Sequence, residues 1–154
     1  MIEPISEDNM RNALTLFLTT FAVVAVTAFS AHALESTPGG IQWNSYKDGM
    51  ALAESSGKKI YINFHADWCK YCTKMANTTF KSKEVIAYLT DNFVSVQVDT
   101  DKEQSVARKY KVRGLPASLF LEGDGAQIGN QPGYLDPAQF LKMLQFVVKE
   151  GYKK

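Results

Sequence analysis

Two stretches set the pattern. Lys59–Phe64 (KIYINF) and Phe93–Val98 (FVSVQV) are rich in β-branched and aromatic residues, and the second alternates apolar with polar positions. Both predict strands. Ala117–Leu121 predicts a third. Glu122-Gly123-Asp124-Gly125 behind it predicts a hairpin turn into a final strand over 126–130. Elsewhere apolar residues recur at helical spacing. Trp43, Tyr46, Met50 and Ala53 mark a helix over 42–56 that Gly57 ends. Residues 70–79 predict a second helix. Ser82 is a natural N-cap for a further helical piece, with Glu84 in its first turn and Val85, Ile86 and Leu89 apolar. Residues 102–110 predict a short helix. Asp136-Pro137 reads as a cap followed by proline at the first helical position, opening a last helix whose apolar face is Phe140, Leu141, Leu144, Val147 and Val148. The order α-β-α-β-α-β-β-α predicts an α/β fold, a central mixed sheet flanked by helices.

The N-terminal part follows another pattern. Ala13–Ser30 (ALTLFLTTFAVVAVTAFS) carries no charge, Arg11 precedes it, and Ala31-His32-Ala33 has the small-x-small form of a signal-peptidase site. This predicts a secretory signal peptide over 1–33, then a short Pro/Gly linker over 34–41, then one domain over 42–154. Glu3, Glu7 and Asp8 are out of place in a signal, and Met10-Arg11 would make a more natural start. The competing reading is an uncleaved membrane anchor. Its 18 residues would span roughly 27 Å against a hydrocarbon core of about 30 Å. Either reading places the domain outside the cytoplasm, in a periplasmic or otherwise secreted setting that permits disulfides.

At 154 residues, 45% hydrophobic and 21% charged, the chain has room for one ordinary globular domain. Its net charge of +1 argues against nucleic acid as a partner. Loss of residues 1–33 would raise that charge only to +3.

The chemistry concentrates in Asp67-Trp68-Cys69-Lys70-Tyr71-Cys72, which holds both cysteines. A disulfide between them would close almost no loop and so add little entropic stability. A structural zinc needs four ligands, and outside the leader only His65 could join the thiols. Covalent haem attachment needs histidine after the second cysteine, where Thr73 stands. Lysine and tyrosine between the thiols make a poor core. Thiol–disulfide exchange fits best. Cys69 falls where a strand ends and a helix begins, where free N–H groups and the helix dipole favour a thiolate, and Lys70 adds a cation. Cys69 is therefore expected to attack. Cys72, one turn later and less exposed, is expected to resolve the mixed disulfide. The two thiols carry the electrons themselves, so no cofactor and no metal are implied.

Phe64-His65-Ala66-Asp67-Trp68-Cys69-x-x-Cys72 resembles the active-site strand and loop of the thioredoxin family. Val112-Arg113-Gly114-Leu115-Pro116 resembles its second signature. The resemblance runs from Gln42 to the end of the chain and implies a thioredoxin fold. With Thr79-Phe80 after the cysteines, it is most similar to the secreted thioredoxin-like domains of bacterial transmembrane disulfide reductases. It implies that Pro116 is cis and faces the cysteines, and that the Leu115 backbone pairs with an extended substrate segment. It gives Trp68 a part in sheltering the thiols and docking substrate, and makes Tyr71 a substrate contact or a plain surface aromatic. Two positions depart from the family. Asn63 stands where thioredoxins often bury an aspartate, and Ala76 where the reductase domains tend to carry glutamate. Cys72 must then lose its proton to water, to His65 or to a partner, with packing the simpler role for His65.

The direction of electron flow is expected to be reductive. The clients would be disulfide-containing proteins and the electrons would come from a membrane carrier, with the domain acting as a monomer. A disulfide oxidase or isomerase, or a redox-inert binding module, are the alternatives.

Overall fold

The alternating residues of the two central strands divide the core. The computed structural model describes residues 39–153. The leader predicted over 1–33, and most of the linker, lie outside the described residues. The elements run α1 (Tyr46–Ser56), β1 (Lys59–His65), α2 (Lys70–Asn77), a 3-10 turn (Thr79–Lys81), α3 (Lys83–Asn92), β2 (Phe93–Asp99), α4 (Gln104–Lys109), β3 (Ala117–Leu121), β4 (Gln127–Pro132) and α5 (Pro137–Val148). The strands form one sheet in the order β2-β1-β3-β4. The β1–β2 pair is parallel, and β1–β3 and β3–β4 are antiparallel. This is the α/β thioredoxin fold, a four-stranded mixed sheet flanked by helices.

Each sheet face buries its own cluster. Ile60, Ile62 and Phe64 of β1 pack with Val94, Val96 and Val98 of β2, Ala53 of α1 and Tyr110 just after α4. On the opposite face Tyr61 and Phe93 meet Met75 of α2, Phe80, Val85 and Leu89 of α3, and Phe140, Leu144 and Val147 of α5. The period of two along each strand makes this division, because successive side chains point to opposite faces. β1 is central and buried on both sides, which fixes the strand that leads into the cysteines.

The helix boundaries follow their caps. Asp136 accepts from Gln139 N at 2.8 Å, and Gln139 Oε1 accepts from Asp136 N, a closed capping box with Pro137 in the first turn. Ser82 caps α3 as its sequence predicts. The first helix is shorter than the 42–56 expected. Ser45 takes the cap by accepting from Asp48 N, and Asn44 bridges to Val96 as strand. Trp43 therefore leaves the helix face and packs edge-on against Phe80, ring centroids 5.1 Å apart. The helix expected over 102–110 contracts to Gln104–Lys109. The one expected over 70–79 ends at Asn77, where Thr79 instead donates its hydroxyl to Leu135 O at 2.6 Å. The last strand shifts to 127–132, because Pro132 pairs with Ala117 in the register that continues β3.

α1 lies close on β2 at Gly49. A Cβ there would collide with Val96 Cγ2. Gly49→Ala would gain about 1 kcal/mol of helix propensity. Overpacking a filled core costs about 1–3 kcal/mol. The net expectation is a loss of up to about 2 kcal/mol in denaturant unfolding, whereas a gain would mean that the α1–β2 seam has slack.

Candidate active site

β1 stops at His65, and the chain turns through Ala66-Asp67-Trp68 into α2. Cys69 is the N-cap of that helix. It has extended backbone, φ −81° and ψ 101°, and its Sγ accepts from the backbone N–H of Cys72 at 3.1 Å. Thiolate character at this sulfur is favoured by that N–H and by the positive end of the helix dipole. Cys69 and Cys72 form a disulfide with Cα atoms 5.2 Å apart. Ala66 and the two cysteines make a small buried cluster, with Leu115 packed against it.

The expected difference in exposure between the two thiols is corrected. Cys69 is 5% exposed and Cys72 8% exposed. Leu115 packs against the cluster that both cysteines share with Ala66, and Cys72 also borders an open cavity. Bulk exposure therefore does not rank them, and the preference for Cys69 as nucleophile rests on its cap position.

Leu115 and Pro116 reach the site from the loop before β3, and the peptide between them is cis. The Pro116 carbonyl is taken by Gly133 N–H at 2.7 Å. Among the described residues no backbone hydrogen bond engages Gly114 or Leu115. Gly114 is exposed and Leu115 is half-buried against the cysteine cluster.

Trp68 is 69% exposed. Its indole N–H donates to Asp101 Oδ2 at 2.9 Å, which ties it to the loop after β2. It stands beside the cysteines as open aromatic surface. Tyr71 is 62% exposed, with its ring centroid 6.5 Å from that of Tyr134. Lys74 sits over the Tyr134 ring at 4.3 Å. Lys70 is exposed on the first turn of α2. Sequence reasoning gave no role to Asp101 or Tyr134. Nothing in the sequence connects Asp101 with Trp68, which stand 33 positions apart.

His65 and Asn63 do come near Cys72. With Ala66, Asp67, Thr73, Ala76, Asn77 and Gln97 these three residues line a cavity of about 200 Å³. His65 is held by its backbone, since its carbonyl accepts from Thr100 N at 2.9 Å and from Thr100 Oγ1 at 3.2 Å. Asp99, paired with His65 across β1–β2, has its carboxyl held below the usual range, chiefly by Lys102 at 2.7 Å. Among the described residues no cluster of three or more histidine, cysteine or acidic side chains could hold a metal.

A helix-capping disulfide at the end of a central strand, facing a cis-proline loop, is the site of a thiol–disulfide oxidoreductase. Comparison with known proteins makes the family definite. The model of the thioredoxin-like domain matches residues 46–148, and the chain belongs to that family. It is similar to the thiol:disulfide interchange protein DsbD of Yersinia pestis, 31% identical over 99 residues that make up 61% of this chain and 17% of that one. It is also similar to a chloroplastic thioredoxin-like protein of Arabidopsis thaliana, 35% identical over 89 residues, 58% of this chain and 33% of that one. The chain thus spans a third or less of these two relatives. Among solved structures a thioredoxin from Thermus thermophilus superposes with a TM-score of 0.67 at 30% identity, covering 73% of this chain and 91% of that one.

Proposed function

We propose that this chain is an extracytoplasmic reductase of client-protein disulfides, recharged by a membrane electron donor. The observation that carries the reading is the Cys69–Cys72 pair itself, with Cys69 at a helix N-terminus and Leu115 packed beside it. Cys69 attacks the client disulfide. Cys72 then attacks Cys69, leaving the client dithiol reduced and the pair oxidised. Trp68 and Tyr71, both exposed, offer aromatic surface for the client to dock on. The name of the Yersinia pestis relative, a thiol:disulfide interchange protein, supports exchange with other proteins. The hydrophobic leader over 13–30 supports the compartment. Among the described residues no helix is long and apolar enough to cross a membrane.

The direction is tested by the reduction potential of the pair, equilibrated against glutathione or dithiothreitol. A value near about −270 mV, as in thioredoxin, supports a reductase, whereas one near about −120 mV, as in the strong periplasmic oxidant, makes the chain a disulfide donor. A pair that never equilibrates with either buffer makes it an inert binding module.

A further inference from the structure

Tyr134 joins two parts of the site that lie far apart in the sequence. The residue before it, Gly133, adopts φ 93° and donates its N–H to Pro116 O at 2.7 Å. The residue after it, Leu135, accepts from Thr79 Oγ1 at 2.6 Å through its carbonyl. Between them the Tyr134 hydroxyl lies 3.2 Å from Thr78 Oγ1, just past the end of α2. The ring is therefore tied to the cis-proline loop on one side and to α2 on the other.

α2 presents one face to that ring. Tyr71, Lys74 and Thr78 stand at the spacing of three and four residues that brings side chains together on a helix. The Tyr71 ring centroid is 6.5 Å from that of Tyr134, and Lys74 Nζ lies 4.3 Å from the Tyr134 centroid. That is the shortest cation–π contact among the described residues. Tyr71 and Lys74 are exposed and Tyr134 is half-buried. Two rings and an ammonium thus form a ledge that begins inside the Cys69–Cys72 motif.

Charge differs on the two sides of the cysteines. Lys70 and Lys74 stand on α2, whereas Asp67 and Asp101 stand beside Trp68. Lys70 adjoins Cys69 and favours its thiolate. Lys74 lies a turn further on, and like charges at that spacing destabilise an exposed helix. Among the described residues Lys74 pairs with no carboxylate, whereas Lys59, Lys102 and Lys153 do. The acid closest in sequence to Tyr134 is Asp136, and it is taken by the α5 cap, where it accepts from Gln139 N at 2.8 Å. Local rules are broken in this way mainly at functional sites.

We propose that Tyr71, Lys74 and Tyr134 form a docking ledge for an acidic side chain of the client, carried on the same extended segment as the attacked cysteine. The proposal rests on the reading of exchange with client proteins and names the kind of client. The Tyr134 ring holds one side of the Lys74 ammonium and leaves the other N–H donors to the client carboxylate. The Tyr71 and Tyr134 rings cover the methylenes of a glutamate. Because the ring already holds the lysine, less side-chain freedom is lost when the client arrives. The ledge lies on one side of the cysteines, so it reads one side of the client cysteine.

The test measures oxidation of the reduced protein by peptides of one sequence, each with a lone cysteine bridged to a small neutral thiol. In one set the second residue before that cysteine is Glu, Gln or Lys. In the other set the second residue after it varies in the same way. In one set only, the Glu peptide should react about fivefold faster than the Lys peptide at low salt, with Gln between them and the preference shrinking at high salt. Lys74→Glu should remove or invert that preference. Tyr134→Ala should lower it about twofold, and Tyr134→Phe, which keeps the ring, should restore it. Lys58→Glu changes the net charge equally at the far end of β1 and should leave the ratio as in the wild type. A wild-type ratio near one in both sets overturns the proposal, as does an unchanged preference in folded Lys74→Glu. The same preference in both sets, moved as far by Lys58→Glu as by Lys74→Glu, also overturns it, because that marks attraction by net charge. Failure of the wild type to react with any peptide or with a small neutral disulfide would sink the exchange reading, and the ledge's role with it.

Discussion

Cys69→Ser is expected to reduce disulfide exchange to background while the domain stays folded. The two halves of that expectation have separate causes. A serine hydroxyl at the α2 N-cap still accepts from the Cys72 N–H, and serine is among the preferred N-cap residues, so the cap survives. Loss of the disulfide removes a loop of only three residues' separation. By the loop-entropy expression that is worth about 2 kcal/mol, less than the ~3 kcal/mol of a 15-residue loop. Chemistry, by contrast, has no substitute, because a serine alkoxide is not available at neutral pH and Cys72 cannot form the productive bond alone. Reduction of a protein disulfide, followed by free-thiol appearance, should fall to the level of buffer. Cys72→Ala should behave differently. Its Cys69 still attacks but nothing resolves the product, so a mixed disulfide with the oxidised substrate accumulates, is visible by mass, and disappears on reduction. Retained turnover in Cys69→Ser, or trapping by that variant instead of by Cys72→Ala, would reverse the two roles.

How the fold came to be readable is clear from particular residues. The strands KIYINF and FVSVQV and the cap Asp136-Pro137 carry local information, and they stand where that information puts them. Ser45 and Asn44 were misread because a helical spacing of Trp43 with Tyr46 coincides with a cap and a strand bridge. Periodicity cannot separate those cases, since Trp43 turns toward the core in either and is half-buried here. In the site, the cysteines, Leu115 and Pro116 were legible because they sit in short contiguous motifs. The wall around Cys72 was only half legible. Asn63 and Gln97 are visible as polar interruptions of apolar strands, but their adjacency depends on the parallel register of β1 and β2, which no local pattern encodes. The contact of Trp68 with Asp101 joins two loops 33 positions apart and leaves no trace in either.

The same register sets where the site stands. β1 is paired along both edges and buried on both faces, so the position of Ala66 and the start of α2 is set by the sheet. α2 is held in turn through Met75, 1% exposed, against the second cluster. Rigid elements place reacting groups better than loops do. The exchange chemistry needs this, because the Cys72 sulfur must stay within reach of Cys69 while a client is attached.

Phe140→Ala is expected to give the largest loss of stability without touching the thiols. Phe140 is fully buried in α5, with its ring centroid 5.1 Å from Tyr61 and 6.0 Å from Phe80. Tyr61 in turn meets Phe120 at 5.4 Å and Ser118 at 3.2 Å. Phe140 therefore joins α5, the 3-10 turn and the centre of the sheet. Truncation of a buried phenylalanine costs about 3–5 kcal/mol, the sum of lost burial and the cavity left behind. Domains of this size are stable by only about 5–15 kcal/mol, so the variant should be marginal. Its melting midpoint should fall by roughly 12–20 °C. Phe140→Leu refills part of the space and should recover about half of the loss. Below its melting range the alanine variant should still reduce a disulfide near the wild-type rate, since the α2 cap and the Leu115 loop do not contact the ring. Calorimetry or thermal circular dichroism checks the first part and the exchange assay the second. A shift of only a few degrees would mean that α5 is held chiefly by its capping box and Leu144 and Val147, and that the aromatic cluster under the sheet contributes less than its burial implies.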